Sequence, residues 1–388
     1  FGRLEEFADN GESLEVWFDD ITQARIQPGS HLFKRFREFL PFTDPDPSIS
    51  LGEYNTPLLQ GGKPLEQYTG SNNLWLKNET MNPTWSFKDR GTLTTLWMSR
   101  EMGEDITATI STGNMGGSVA AYSARAGIRA LVFVPSFTPR EKIMPIALHG
   151  AEIIRVEAPD YAAMKKKVLE MAGSLKLRIV SGNGPVRVEG YKLAAFEMYE
   201  QMKGEVPDYI MVPVSACGHI RGIFKGYREL YQAGYITRLP KMVVVQAANN
   251  APVVQAIKQG KKHVIPFTHF HTIAEAITTG NPMGGDEIIE KTERYGWLAE
   301  EVTEDEIIEA QRMLAKSGFF VEPASATTIS ALRKLISAGS IKPDDKVVSM
   351  LTGSGLKDFD VFQHHSVEVR DIPLDDLENR LKELIPGS

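Results

Sequence analysis

The stretch Ile106-Thr-Ala-Thr-Ile110 runs directly into Ser111-Thr-Gly-Asn-Met-Gly-Gly117, a helical pattern follows to about Ala126, and a second apolar run extends from Arg129 to Val134. Short β-rich run, small-residue loop, helix and short run form the order of a βαβ unit, whose crossover implies parallel strands. The order returns further along the chain. Met211 to Val214 opens into Ser215-Ala-Cys-Gly-His219 and a helical Ile220 to Ala233, Lys241 to Gln246 reads as a strand, and Lys346 to Leu351 runs into Thr352-Gly-Ser-Gly355. Strands alternating with helices predict an α/β chain with one or two helix-covered parallel sheets. Before these units lie a Pro28-Gly29 break, a helical Ser30 to Leu40, and an irregular Pro41 to Pro47, so the main fold is expected from about Leu51.

In open parallel sheets a ligand binds beyond the carboxyl ends of the strands, where unpaired N–H groups converge at helix starts. Three small-residue loops at such places point to an anionic small molecule, because small side chains let it approach the backbone and Gly113, Gly218 and Gly353 also permit positive φ. None of the loops matches the dinucleotide or the nucleoside-triphosphate fingerprint. Lys88, within Asn82-Pro-Thr-Trp-Ser-Phe-Lys-Asp-Arg-Gly91, lies at an aromatic-flanked turn just before a helix. A lysine there becomes a nucleophile towards carbonyls if burial or a neighbouring cation such as Arg90 disfavours its ammonium form.

Composition narrows the field. At 388 residues the chain exceeds one compact core, so two domains, or one large α/β unit with an appended lobe, are expected. Forty-three basic against 50 acidic residues leave a net charge of −7, which excludes a general nucleic-acid binder. The single cysteine, Cys217, allows no internal disulfide and fits a reducing cytosol. The longest apolar runs, residues 128–135 and 209–214, fall far short of the roughly 20 residues that span a bilayer, so no membrane partner is expected. The chain opens on Phe1 with polar, acidic sequence unlike a signal peptide, which fits a processed or incompletely represented start.

The motifs Ser86-Phe-Lys-Asp-Arg90, Ser111-Thr-Gly-Asn114, Arg187-Val-Glu-Gly190, Thr279-Gly-Asn-Pro282, Glu322-Pro-Ala-Ser-Ala326 and Leu351-Thr-Gly-Ser-Gly-Leu-Lys-Asp358 occur in this order. Together they resemble the threonine synthases, a family of fold-type-II enzymes dependent on pyridoxal 5′-phosphate, over roughly residues 50–360. The resemblance implies two domains, each with a mostly parallel, helix-flanked sheet. Residues 1–92 plus 183–388 would form a large cofactor-binding domain, with 1–50 as an N-terminal extension, and 93–182 a small mobile domain carrying the substrate-carboxylate loop. It implies a small amino-acid substrate, a cytoplasmic homodimer, and the conversion of O-phospho-L-homoserine and water to L-threonine and phosphate.

Roles follow from the same resemblance. Lys88 would bind the cofactor's aldehyde covalently and then act as acid and base. Phe87 would pack beside the ring, Asn114 would bond its hydroxyl, and Thr352 would meet its nitrogen; a hydroxyl there implies a largely unprotonated ring. Ser215, Ala216, Cys217, Gly218 and His219 would hold the cofactor phosphate on backbone donors. Ser111, Thr112 and Gly113 would take the substrate carboxylate, and Arg187, with Met115 and Ser181 nearby, the leaving phosphate. Some residues depart from the family pattern. Ser215-Ala-Cys-Gly-His219 replaces a loop rich in Asn and Gly, Met115 stands where threonine is usual, and Trp85 would narrow the pocket beside Lys88. Gly11-Glu-Ser-Leu-Glu-Val16, where relatives carry a cysteine-containing zinc ribbon, has no cysteine, so no metal is expected. His219 reads either as a phosphate neighbour or as a structural cap, Cys217 as a buried filler, and Arg187 alternatively as a surface partner of Glu189. Two other functions stay open: β-elimination or β-replacement on a serine-, threonine- or phosphoserine-like amino acid, and a non-catalytic amino-acid or cofactor sensor.

Overall fold

A computed structural model of the chain describes residues 8, 12–42, 47–175, 177–268, 271–365 and 369–385. Its strands are β1 (Leu58–Gln60), β2 (Leu74–Asn78), β3 (Ile106–Ile110), β4 (Arg129–Pro135), β5 (Glu152–Val156), β6 (Tyr209–Pro213), β7 (Lys241–Ala247), β8 (Leu298–Val302) and β9 (Val347–Leu351). They form two sheets: a large one in the order β1-β2-β9-β6-β7-β8, and a small one in the order β3-β4-β5. Every pairing is parallel except β1 with β2. The α/β reading and the parallel sheets therefore hold.

The middle strands of the large sheet are apolar on both sides. Ile210, Val212, Val244, Val348 and Met350 face one core, while Met211, Val243, Val245, Val347 and Leu351 face the other. Covering both faces with helices removes the polar-out alternation and leaves continuous Val/Ile/Met runs. Val347 pairs with Leu74 on one side and Tyr209 on the other, which places β9 at the sheet's centre and delivers Thr352 to the middle of its carboxyl edge. β6 delivers Ser215 to the same edge. β3 delivers Ser111 from the small sheet.

The helix Lys88–Glu101 follows β2 and is buried from Asp89 to Ser99. It crosses the helix Pro185–Tyr191 at close range through glycines on both. A Cβ on Gly91 would come within 2.5 Å of Arg187 Cγ, and one on Gly190 would run into the Arg90 carbonyl and come within 2.6 Å of Thr94 Oγ1. Arg90 enters this packed interface charged, held 2.6 Å from Glu79 and 2.7 Å from Glu197, with Lys77 2.6 Å from Glu197 on the far side. Buried charges of this kind are stable only when mutually paired.

A strap from the N-terminal segment lies on the helix Gly218–Gln232. Arg221 donates to the Leu14 carbonyl (2.9 Å) and Lys225 to that of Val16 (2.7 Å). Residue 11, which opens the stretch compared with a zinc ribbon, lies outside the described residues. The expected helix over 30–40 is instead a short turn Leu32–Arg35 followed by a 3-10 turn Arg37–Phe39. The physical reason is the spacing of Phe33, Phe36 and Phe39. Three-residue steps align in a 3-10 turn and drive all three rings inward, Phe36 stacking on Phe196 at 4.4 Å.

Candidate active site

Lys88 is the first residue of its helix rather than part of the turn before it. That turn is tied to the loop after β9: Phe87 donates its N–H to the Thr352 carbonyl (3.0 Å), Ser354 donates to that of Trp85 (3.0 Å), and Ser86 bridges Gly353. The lysine is thus fixed against the central strand's end. Its Nζ lies 4.2 Å from the centre of the Phe87 ring. Burial brings the amine down to about 7, Arg187 and Lys357 act in the same direction, and Glu322 opposes them.

Opposite the lysine, the loop after β6 enters the helix Gly218–Gln232 through Cys217 in a left-handed conformation (φ 73°). Among the described residues, the N–H groups of Ser215, Ala216, Cys217, Gly218, His219 and Ile220 have no acceptor. A Cβ on Gly218 would collide with the Gly182 carbonyl, so only glycine lets the 181–184 segment close over this cradle. The Ser215 hydroxyl is bonded to that of Thr279 (2.6 Å). His219 stacks on Phe87, ring centres 3.9 Å apart, and neither of its nitrogens has a partner among the described residues. Burial, together with the Lys88 and Arg90 charges, pushes the imidazole down to about 3, so it is neutral. Burial pushes the Cys217 thiol up to about 12, which fits the filler reading and removes it as a nucleophile.

Between these walls lies a cavity lined among others by Phe87, Lys88, Asn114, the loop 215–219 and Thr352. The other expected residues surround it without lining it. Ser111 and Thr112 are half-buried and Gly113 exposed at the start of the helix Asn114–Ala126; Met115 Cε is 3.9 Å from where a side chain on Gly182 would begin; Ser181 is half-buried beside it. Arg187 is buried, so the surface pairing with Glu189 is ruled out. Glu189 is engaged by Lys192 (2.5 Å) and by Lys225. Arg187 instead donates to the Tyr191 hydroxyl (2.6 Å), to Thr92 (3.0 Å) and to the Lys88 carbonyl (3.1 Å), leaving Nη1 without a partner among the described residues. Trp85 does not narrow the pocket: with φ 63° its backbone turns the indole outward, 55% exposed.

Glu322 was not foreseen as a site residue, although its motif was recognised. Its carboxylate accepts from Asn114 Nδ2 (2.6 Å) and from the Thr352 hydroxyl (3.0 Å), joining the loop after β3 to the loop after β9. Burial raises its pKa, opposed by those hydrogen bonds and by Lys357 and Lys88. An acidic residue directly before Pro-Ala-Ser at a helix start was the available signal. Lys357, half-buried with its Nζ donating to the Thr84 carbonyl (2.8 Å), was missed as well.

A family model described as pyridoxal-phosphate dependent enzyme matches residues 49–353. The chain is 38% identical to the threonine synthase of Methanocaldococcus jannaschii, covering 94% of this chain and 91% of that protein. It is 36% identical to that of Halalkalibacterium halodurans, covering 84% and 89%. Among solved structures, the processed form of threonine deaminase isoform 2 from Solanum lycopersicum aligns with a TM-score of 0.68 at 20% identity, covering 80% of this chain and 87% of that one. Maize serine racemase aligns at 0.67 and 19%, covering 85% and 92%. At such identities the structural matches speak to the fold, while the sequence relatives speak to kinship: the chain belongs to the threonine synthase family of pyridoxal-phosphate dependent enzymes.

Proposed function

We propose that the cavity holds pyridoxal 5′-phosphate on Lys88 and that the protein converts O-phospho-L-homoserine and water to L-threonine and phosphate. The observation that carries this reading is an amine held near neutrality at one wall of a cavity whose other wall is a row of unpaired N–H groups. The residues fit the cofactor. The start of a 15-residue helix suits its phosphate, and the presence of Asn114 and Thr352 in the cavity lining supports contacts to its ring hydroxyl and ring nitrogen. Buried Ser86 Oγ, both His219 nitrogens and Arg187 Nη1 lack partners among the described residues. Buried polar atoms of this kind are normally satisfied, so a polar ligand is the expected partner.

Bound there, the cofactor supplies an aldehyde that links to amines and a conjugated ring that draws electron density from the substrate's reacting carbons. Lys88 holds and moves protons at the substrate's α- and β-carbons, work for which a pKa near 7 is suited in both directions. Ser111, Thr112 and Gly113 hold the α-carboxylate on backbone and hydroxyl donors. Arg187, clamped by Tyr191, Thr92 and the Lys88 carbonyl, offers its free Nη1 to the leaving phosphate, with Ser181 beside it. Met115 offers that phosphate no hydrogen bond, a loss of about 1.5–3 kcal/mol relative to a charge-assisted one.

The same reading takes residues 93–182 as a small mobile domain that closes on the substrate. A separate sheet with its own apolar clusters around Val132 and Phe133 supports it. A homodimer and a cytosolic location belong to the proposal too, the latter supported by a lone, buried cysteine. Purified protein given O-phosphohomoserine should release phosphate and threonine in equal amounts. Turnover of threonine, serine or phosphoserine to a 2-oxo acid, with phosphohomoserine inert, would replace this reading by β-elimination; binding without turnover of any of them would favour the sensor.

A further inference from the structure

Three hydroxyl and carboxyl groups at the end of β9 form a chain whose proton directions can be worked out. Ser325 Oγ accepts N–H bonds from Thr352 (2.8 Å) and Gly353 (3.2 Å), which occupies both of its lone pairs. Its own proton must therefore go to its remaining neighbour, Thr352 Oγ1, at 2.9 Å. Thr352 accepts that bond and donates to Glu322 (3.0 Å), whose other oxygen is held by Asn114 (2.6 Å). Ser325, Thr352 and Glu322 are all at least nine-tenths buried, so water does not complete the chain.

On the reading that the cofactor's ring nitrogen meets Thr352, this hydroxyl has one proton and two claimants. If Glu322 is a carboxylate and the ring nitrogen is bare, one of them is left without a partner. The chain closes in two ways only. Either Glu322 is ionised, Thr352 donates to it, and a protonated ring nitrogen donates to Thr352; or Glu322 carries the proton and donates to Thr352, which donates to the bare nitrogen. We propose that Glu322 and the cofactor's ring nitrogen share a single proton through the Thr352 hydroxyl, so that Glu322 positions the proton that sets the ring's electron-withdrawing power. The step between the two arrangements moves one proton from Glu322 to Thr352 and one from Thr352 to the nitrogen, with no change in total charge.

The groups facing Glu322 leave both arrangements accessible. Burial favours its acid form; Lys88, Lys357 and the two hydrogen bonds favour the carboxylate, and the nearby Asp358 carboxyl, itself raised to about 6 by burial, favours the acid. The amide in Glu322→Gln would keep Asn114 on its oxygen and donate its N–H to Thr352, which locks the Thr352 proton onto a bare ring nitrogen.

The test is the 15N resonance of the ring nitrogen in protein loaded with ring-labelled cofactor, recorded from pH 6 to 9. Wild-type protein should give a resonance between the protonated and bare limits that changes little with pH, because the two arrangements hold the same number of protons. Glu322→Gln should sit at the bare limit throughout, as should Thr352→Val, which keeps the shape and removes the relay. A wild-type resonance fixed at either limit overturns the proposal, as does one that both loaded variants reproduce; the first criterion needs no variant to fold. Failure of wild-type protein to take up cofactor at all would instead count against the site assignment on which the proposal rests.

Discussion

Lys88 and His219 share the Phe87 ring as a neighbour, and burial disfavours the cationic form of both. For Lys88 the consequence is kinetic. The free amine is the attacking species, so cofactor uptake by apoprotein should rise about tenfold per unit as pH increases towards 7 and level off above it, as stopped-flow absorbance would follow. Lys88→Ala should lower turnover by about 10² to 10⁴ and abolish the bound-cofactor absorbance. For His219 the consequence is thermodynamic. Its folded pKa of about 3 lies below the unfolded 6.5, so the folded state binds fewer protons between these values. Its contribution is complete above pH 6.5 and is lost as pH falls towards 3, by up to about 1.4 kcal/mol per unit. Urea unfolding of His219→Phe, which keeps the stacking, should show a flatter acid limb than wild type. Lys88, Asn114 and Thr352 were legible because each sits in a short motif. Glu322 was not, because its role depends on an amide 208 residues away.

At the scale of elements, the strands that lead into or out of the small-residue loops were read well because periods and loops are local, while β1, β2, β5 and β8 were not read. β9 and β7 differ from their expected spans by one residue, and β6 begins two residues early. The errors fell where packing outvotes local pattern: the phenylalanine-rich turn at 32–39, and Trp85, whose left-handed backbone no composition rule announces. The glycines at crossings carry the sharpest element-level prediction. Gly190→Ala places a methyl against the Arg90 carbonyl and should lower stability by about 1–3 kcal/mol in thermal or denaturant unfolding, with the folded remainder still binding cofactor. Gly218→Ala, which pushes Gly182 off the loop 215–219, should weaken cofactor affinity more than it lowers the melting temperature, as titration of apoprotein would reveal.

Across the whole molecule, the helix Arg140–Ala147 beside the small sheet reaches the turn Glu275–Ile277 of the main body through Lys142, 2.8 Å from Glu275 and 3.4 Å from Asp360. Ala276 and Ile277 line the cavity, so this pair ties the helix to a segment of the cavity wall. Partly exposed pairs contribute about 0.2–1 kcal/mol. Lys142→Ala should therefore leave the melting temperature nearly unchanged and raise KM by at most about fivefold at low salt, an effect that high salt erases. The strap at residues 14–16 has a practical corollary. Its two carbonyls are acceptors for Arg221 and Lys225 on the helix that begins at the loop 215–219. A cloned gene shortened to begin at Ile21, on the assumption that the leading residues are a dispensable tail, would strip both side chains of those acceptors, and the resulting polypeptide should express poorly and resist saturation with its coenzyme.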